Sequence, residues 1–200
     1  MQKHLPERVQ KGQGTMRAFT FENATKIYFG GGCVEEHLLE AVKPYGETVM
    51  LAYGGGSIKT NGIYQEVMDV LKLAGKQVIE FSGIMPNPTY SKVMEGKKVV
   101  QENQVDLILA VGGGSVMDCS KAISMAAATD KDVWEEYWIK KGEIDFEPVP
   151  VGVIVTVVGT GSEVNGEGVI THEEQKIKTS RNYPRCNPVF AMMDPKYTYT

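Results

Sequence analysis

Three stretches of this chain place glycines and hydroxyl side chains directly after apolar runs. Gly112-Gly113-Gly114-Ser115 follows DLILAV, and Gly54-Gly55-Gly56-Ser57 follows TVMLAY. Thr156-Val157-Val158-Gly159-Thr160-Gly161-Ser162-Glu163 closes a third run. Glycine lets backbone amides approach an anion with no side chain between them. A helix that opens at that point adds unpaired donors and the positive end of its dipole, which suits a phosphate. In the first stretch Ser115 stands where an N-cap and a hydroxyl donor are both expected. Lys121 lies one to two turns further on, within reach of an anion or of Asp118.

The second stretch repeats this logic one strand earlier, without the G-x-G-x-x-G spacing of an ordinary dinucleotide fingerprint. Glycines after TVMLAY also mean that no acid follows that strand, where a ribose 2′-hydroxyl is often gripped. Ser57 and Lys59 then suit a 2′-phosphate, which favours NADP(H) over NAD(H). The third stretch is weaker alone, since such clusters are usually loops. Together the three predict strand-end loops that converge on one edge of a sheet.

Other chemistry finds little support. His4, His37 and His172 are scattered, with no H-x-x-x-H pair and no Cys/His spacing for a metal. No Ser/His/Asp or Cys/His arrangement suggests a nucleophile. Cys33, Cys119 and Cys186, odd in number, suit a reducing cytoplasm, and Cys119 reads as a small packing residue. Trp134 and Trp138, four apart, read as one packing face of a helix.

The elements that must carry these loops follow from periodicity. Strands are predicted at Lys26–Phe29, Thr48–Tyr53, Gln77–Phe81, Asp106–Val111, Val149–Val158 and Val189–Met193. Helices are predicted at Val34–Val42, Ile58–Leu73 (closed by Gly75), Tyr90–Glu102 and Ser115–Ala128. Gly166–Ile170 and Ile177–Thr179 read as a hairpin. Strand–helix alternation predicts an α/β fold: a Rossmann-like parallel sheet with flanking helices plus a β-hairpin extension. A net charge of −4 gives no global attraction for nucleic acid or anionic lipid. No run reaches the roughly 20 apolar residues of a membrane span. Residues 1–15 are polar and lack an apolar h-region; they read as a disordered extension or an expression remnant, with the folded domain at 16–200.

Taken together, FENATKIYFGGG, YGGGSIKTNGIYQEV, MPNPTYSKVMEG, LAVGGGSVMDCSKAI, TVVGTGSEVNGEGVIT and NPVFAMMDPKYTYT resemble the iron-dependent (group III) alcohol dehydrogenases, in particular their butanol dehydrogenase-like branch. The resemblance runs from residue 17 to 200. It implies the dehydroquinate synthase-like N-terminal domain that binds NAD or NADP, with Gly113, Gly114 and Ser115 at the pyrophosphate and Asp118 near the nicotinamide. Thr156, Thr160 and Val169 would line the groove, Lys178 would approach the adenosine ribose, and Gly55, Gly56 and Ser57 would lie by the adenosine-side phosphate. The divalent metal, iron or zinc, would be held by an Asp and three His of a helical C-terminal domain beyond DPKYTYT; Asp194 is not that Asp. The implied reaction is reversible hydride transfer between NAD(P)H and a short or medium-chain aldehyde, in a cytoplasmic homodimer or higher homo-oligomer. This chain alone is expected to be inactive. A stand-alone nucleotide-binding module and a dehydroquinate synthase-type enzyme are the alternatives; the MPNP and TVVGTGSEVN segments favour the dehydrogenase over the latter.

Overall fold

The computed structural model describes residues 23–199, so the extension read over 1–15 lies outside it. Six strands form one parallel sheet: β1 (Lys26–Phe29), β2 (Thr48–Tyr53), β3 (Gln77–Phe81), β4 (Leu107–Gly112), β5 (Val151–Val155) and β8 (Phe190–Met193), in the order β1-β8-β5-β4-β2-β3. β6 (Glu167–His172) and β7 (Ile177–Asn182) pair antiparallel as a separate hairpin. The predicted fold class is therefore borne out. Among the described residues no helix is long and apolar enough to cross a membrane.

Alternation along the central strands explains the layers. Val49, Leu51, Tyr53, Leu107, Leu109 and Val111 pack on one face against α1 (Cys33–Val42) and α3 (Ile63–Leu73). Met50, Ala52, Ile108, Ala110, Val151 and Val153 pack on the other against α4 (Tyr90–Glu102) and α5 (Gly114–Ala127). A strand covered on both faces has no polar side to show, so β4 is buried throughout. Because all six strands are parallel, every loop that follows them emerges at the same edge.

Most boundaries shift by a residue or a few, and three differences from the sequence reading bear on the site. The helix predicted over Ile58–Leu73 is split into α2 (Ser57–Thr60) and α3 by Gly62, whose φ of 87° is left-handed. Gly75 does close α3: its amide bonds Lys72 O and the Lys76 amide bonds Leu71 O, the paired bonds of a Schellman end. Strand β5 stops at Val155 rather than Val158. The Thr156 amide still bonds Gly112 O, but Val157 and Val158 leave the sheet and are exposed. Finally, α5 begins at Gly114 with Gly113 as its cap and no side-chain capping bond, so Ser115 lies inside the first turn and is not the N-cap. The third glycine of the run is already helical.

Trp134 and Trp138 do share one helical element, a wide turn over Trp134–Ile139, and both are buried. Their ring N–H groups donate to Gln175 Oε1 and Gly168 O, tying this turn to the hairpin.

Candidate dinucleotide site

The loops after β2, β4 and β5 meet at the C-terminal edge of the sheet, where ligands bind in open α/β folds. The glycines of the middle loop are required by crowding. A Cβ on Gly112 would stand 2.6 Å from a Val116 methyl, on Gly113 3.0 Å from Val157, and on Gly114 2.7 Å from Thr160. The β4 loop and the β5 loop are thus packed backbone against side chain. The β2 loop is different: a Cβ on Gly55 or Gly56 would meet nothing within 4 Å, and Gly56 has φ 108°. There the glycines leave space, and Tyr53, Gly54, Gly55, Gly56, Lys59, Ser82 and Gly83 line a cleft of about 290 Å³.

Asp118 and Lys121, both on α5, are brought under the third loop. Asp118 is buried; its Oδ1 accepts from Ser162 Oγ and its Oδ2 from the Val169 amide at 3.1 Å. Burial raises its pKa, opposed by the Ser162 hydroxyl and the Lys121 charge. Lys121 is only 2 % exposed. Its Nζ donates to Ser162 O (3.0 Å), Ser162 Oγ (2.7 Å) and Asn165 O (3.0 Å), and lies 3.8 Å from Asp118 Oδ1. Burial pulls its pKa down to about 8. Lys121 therefore serves the loop and is not free to grip an anion. Spacing along a helix does not show this, because the acceptors come from more than 40 residues away. Glu163, also buried, was not singled out in the sequence; one of its oxygens has no partner among the described residues.

The remaining residues divide between the two ends of the groove. Thr156 and Thr160 lie beside the middle loop, where Thr160 Oγ1 accepts from the Ser162 amide at 3.3 Å. Ser115 lies half-buried in the first turn of α5, and Ser57 is exposed at the start of α2. Val169 reaches the site through its amide. Lys178, on β7, donates to Asn87 Oδ1 at 2.6 Å in the loop after β3, the loop that begins with Ser82 and Gly83 of the cleft. Lys59 is not a free cation: its Nζ lies 3.0 Å from Glu80 Oε2.

No group of three or more His, Cys, Asp or Glu able to hold a metal occurs among the described residues. His172 instead stacks on Tyr90, with ring centroids 5.2 Å apart. Asp194 is buried and structural: it accepts from the Gly32 amide at 2.7 Å and the Lys196 amide at 2.9 Å, tying the β1 loop to β8. Cys33, Cys119 and Cys186 are free and buried, and burial lifts the Cys119 thiol to about 12.

The family profile of the iron-containing alcohol dehydrogenases matches residues 24–195. A probable NADH-dependent butanol dehydrogenase 1 of Bacillus subtilis is 44 % identical over 185 residues, which is 92 % of this chain and 47 % of the relative. The NADPH-dependent aldehyde reductase YqhD of Escherichia coli is 39 % identical over 186 residues, 92 % of this chain and 47 % of that protein. A solved structure of the NADH-dependent butanol dehydrogenase A of Thermotoga maritima superposes with a TM-score of 0.86 at 39 % identity, covering 92 % of this chain and 46 % of that one. The chain spans about half the length of the relatives it matches. With sequence and fold in agreement over the whole sheet, the chain belongs to the iron-containing alcohol dehydrogenase family.

Proposed function

We propose that this chain is the NAD(P)H-binding part of a metal-dependent alcohol dehydrogenase or aldehyde reductase of the butanol dehydrogenase kind. The carrying observation is the contrast between the two glycine loops. Gly112–Gly114 are sealed against their neighbours so that backbone meets the groove, while Gly55 and Gly56 stand open to a cleft that a side chain would fill. Such a surface fits a long anionic ligand. Gly113, Gly114 and Ser115 would hold the pyrophosphate at the uncapped start of α5, and Gly55, Gly56 and Ser57 would receive the adenosine side. Thr156, Thr160 and Val169 would line the groove, and Lys178 would stand at its adenosine end. Asp118, held by Ser162 and Val169, would orient the nicotinamide end.

The bound dinucleotide would supply a hydride to an aldehyde, or accept one from an alcohol. Among the described residues no cluster fits a metal, and in this reading the metal's ligands belong to a separate helical domain. The free, buried thiols favour a reducing, cytoplasmic setting. Calorimetric titration of this chain with NADH and with NADPH tests the reading. Heat of binding with at least one dinucleotide, and no aldehyde reduction with added iron or zinc, are expected. Absence of binding to both would overturn it.

A further inference from the structure

The groove's adenosine end contains a charge that sequence spacing hides. β2 lies beside β4, the strand of the middle glycine loop, and β3 lies beyond β2. In doubly wound sheets the strand neighbouring the glycine-loop strand carries, at its end, the acid that reads the ribose 2′ position. Here β2 ends in glycines, but Glu80 of β3 pairs in register with Leu51 and so points to the same face as Tyr53. Its Oε2 accepts from Tyr53 Oη (2.5 Å) and from Lys59 Nζ (3.0 Å), and its Oε1 from Tyr64 Oη (2.7 Å). Lys59 Nζ also sits 4.4 Å from the Tyr64 ring centroid. Tyr53 and Lys59 are themselves walls of the open cleft.

We infer that Glu80 sets the dinucleotide preference of this chain by occupying Lys59, the cation that lines the cleft among the described residues, and disfavouring a 2′-phosphate there. The inference rests on the dinucleotide reading above. A 2′-phosphate brings about two negative charges at neutral pH. Facing it, Lys59 and Glu80 cancel, and both tyrosine hydroxyls are turned to the carboxylate. A ribose carrying only its 2′-hydroxyl meets no such opposition. Lys59 read from sequence as a 2′-phosphate ligand is, in the fold, the counter-ion of an acid 21 residues away.

Calorimetric titration of four forms of the chain with NADH and NADPH tests this, with circular dichroism confirming that each is folded. In Glu80→Gln the charge is gone; the amide carbonyl still accepts from one tyrosine hydroxyl, and the amide N–H can donate to the oxygen of the other. The ratio of NADPH to NADH affinity is expected to rise about tenfold, as for one released charge-assisted contact to phosphate. The gain should vanish in Glu80→Gln/Lys59→Met, because it needs the freed ammonium. Lys59→Met alone leaves the Glu80 charge uncompensated, so the ratio of NADPH to NADH affinity is expected to fall below that of the unaltered chain. A ratio unchanged in Glu80→Gln, a gain that survives in the double variant, or a ratio that rises in Lys59→Met would each overturn the inference while leaving the dinucleotide reading standing. Failure of the unaltered chain to bind either dinucleotide would remove that reading, and this inference with it.

Discussion

At the scale of single residues, Lys121 shows how much a buried charge depends on what surrounds it. Its ammonium is desolvated, and three oxygen acceptors from Ser162 and Asn165 lie within 3.0 Å. Removing the ammonium leaves the Ser162 and Asn165 carbonyls without their donor and the buried Asp118 carboxylate without its nearby positive charge, which is strongly destabilising. Lys121→Met is therefore expected to cost about 3 kcal/mol in urea unfolding. Dinucleotide binding should also weaken, because the Thr156–Glu163 loop loses its anchor. A variant as stable as the parent would show that the loop is held by other contacts.

At the scale of elements, the groove is made by how loops follow strands. Gly114 is the first helical residue of α5, and the space a side chain would need is taken by Thr160. Gly114→Ala should push the β5 loop outward and reduce dinucleotide affinity on the order of tenfold, since small displacements of positioning groups are costly. Its effect on stability should be small, because alanine's better helix propensity, up to about 1 kcal/mol, offsets the crowding. Parallel titration and thermal unfolding would check both; unchanged affinity would argue that Thr160 does not face the ligand. The break between α2 and α3 also belongs to this scale. The apolar pattern through Ile58–Leu73 reads as one helix, and only the left-handed backbone at Gly62 divides it.

For the whole molecule, the C-terminal edge of the sheet is not uniformly polar. Phe29, Val155, Val158, Met193, Pro195 and Thr198 line a second, largely apolar cavity of about 150 Å³ at the β1–β8–β5 end. Phe29, Val157, Val158 and Tyr199 are exposed there, at 73, 57, 57 and 80 %. Apolar surface gathered in this way favours association. The isolated chain is expected to self-associate in light scattering, and Phe29→Ser with Val158→Ser to shift it toward monomer. A parent chain that is already monomeric at high concentration would refute this.

What the sequence determined by itself was the order and kind of the elements and the loops that carry the site. Apolar runs such as Leu107–Val111 and helical periodicity such as that of Tyr90–Glu102 are local properties, and local chemistry suffices to read them. The glycine runs announced loops that a backbone must approach closely. Residue roles set by distant partners needed the tertiary structure. Ser115 lies two residues past the cap at Gly113, because α5 begins at Gly114. Val157 and Val158, apolar by type, were turned outward where the chain leaves the sheet, with Val157 beside Gly113. Lys121 read as within reach of an anion or of Asp118, and Lys59 as a 2′-phosphate ligand; each is committed to acceptors that only folding brings near: Ser162 and Asn165 for one, Glu80 for the other. A charge's function depends on its nearest opposite charges, and in a parallel sheet those come from neighbouring strands and loops rather than from neighbouring residues.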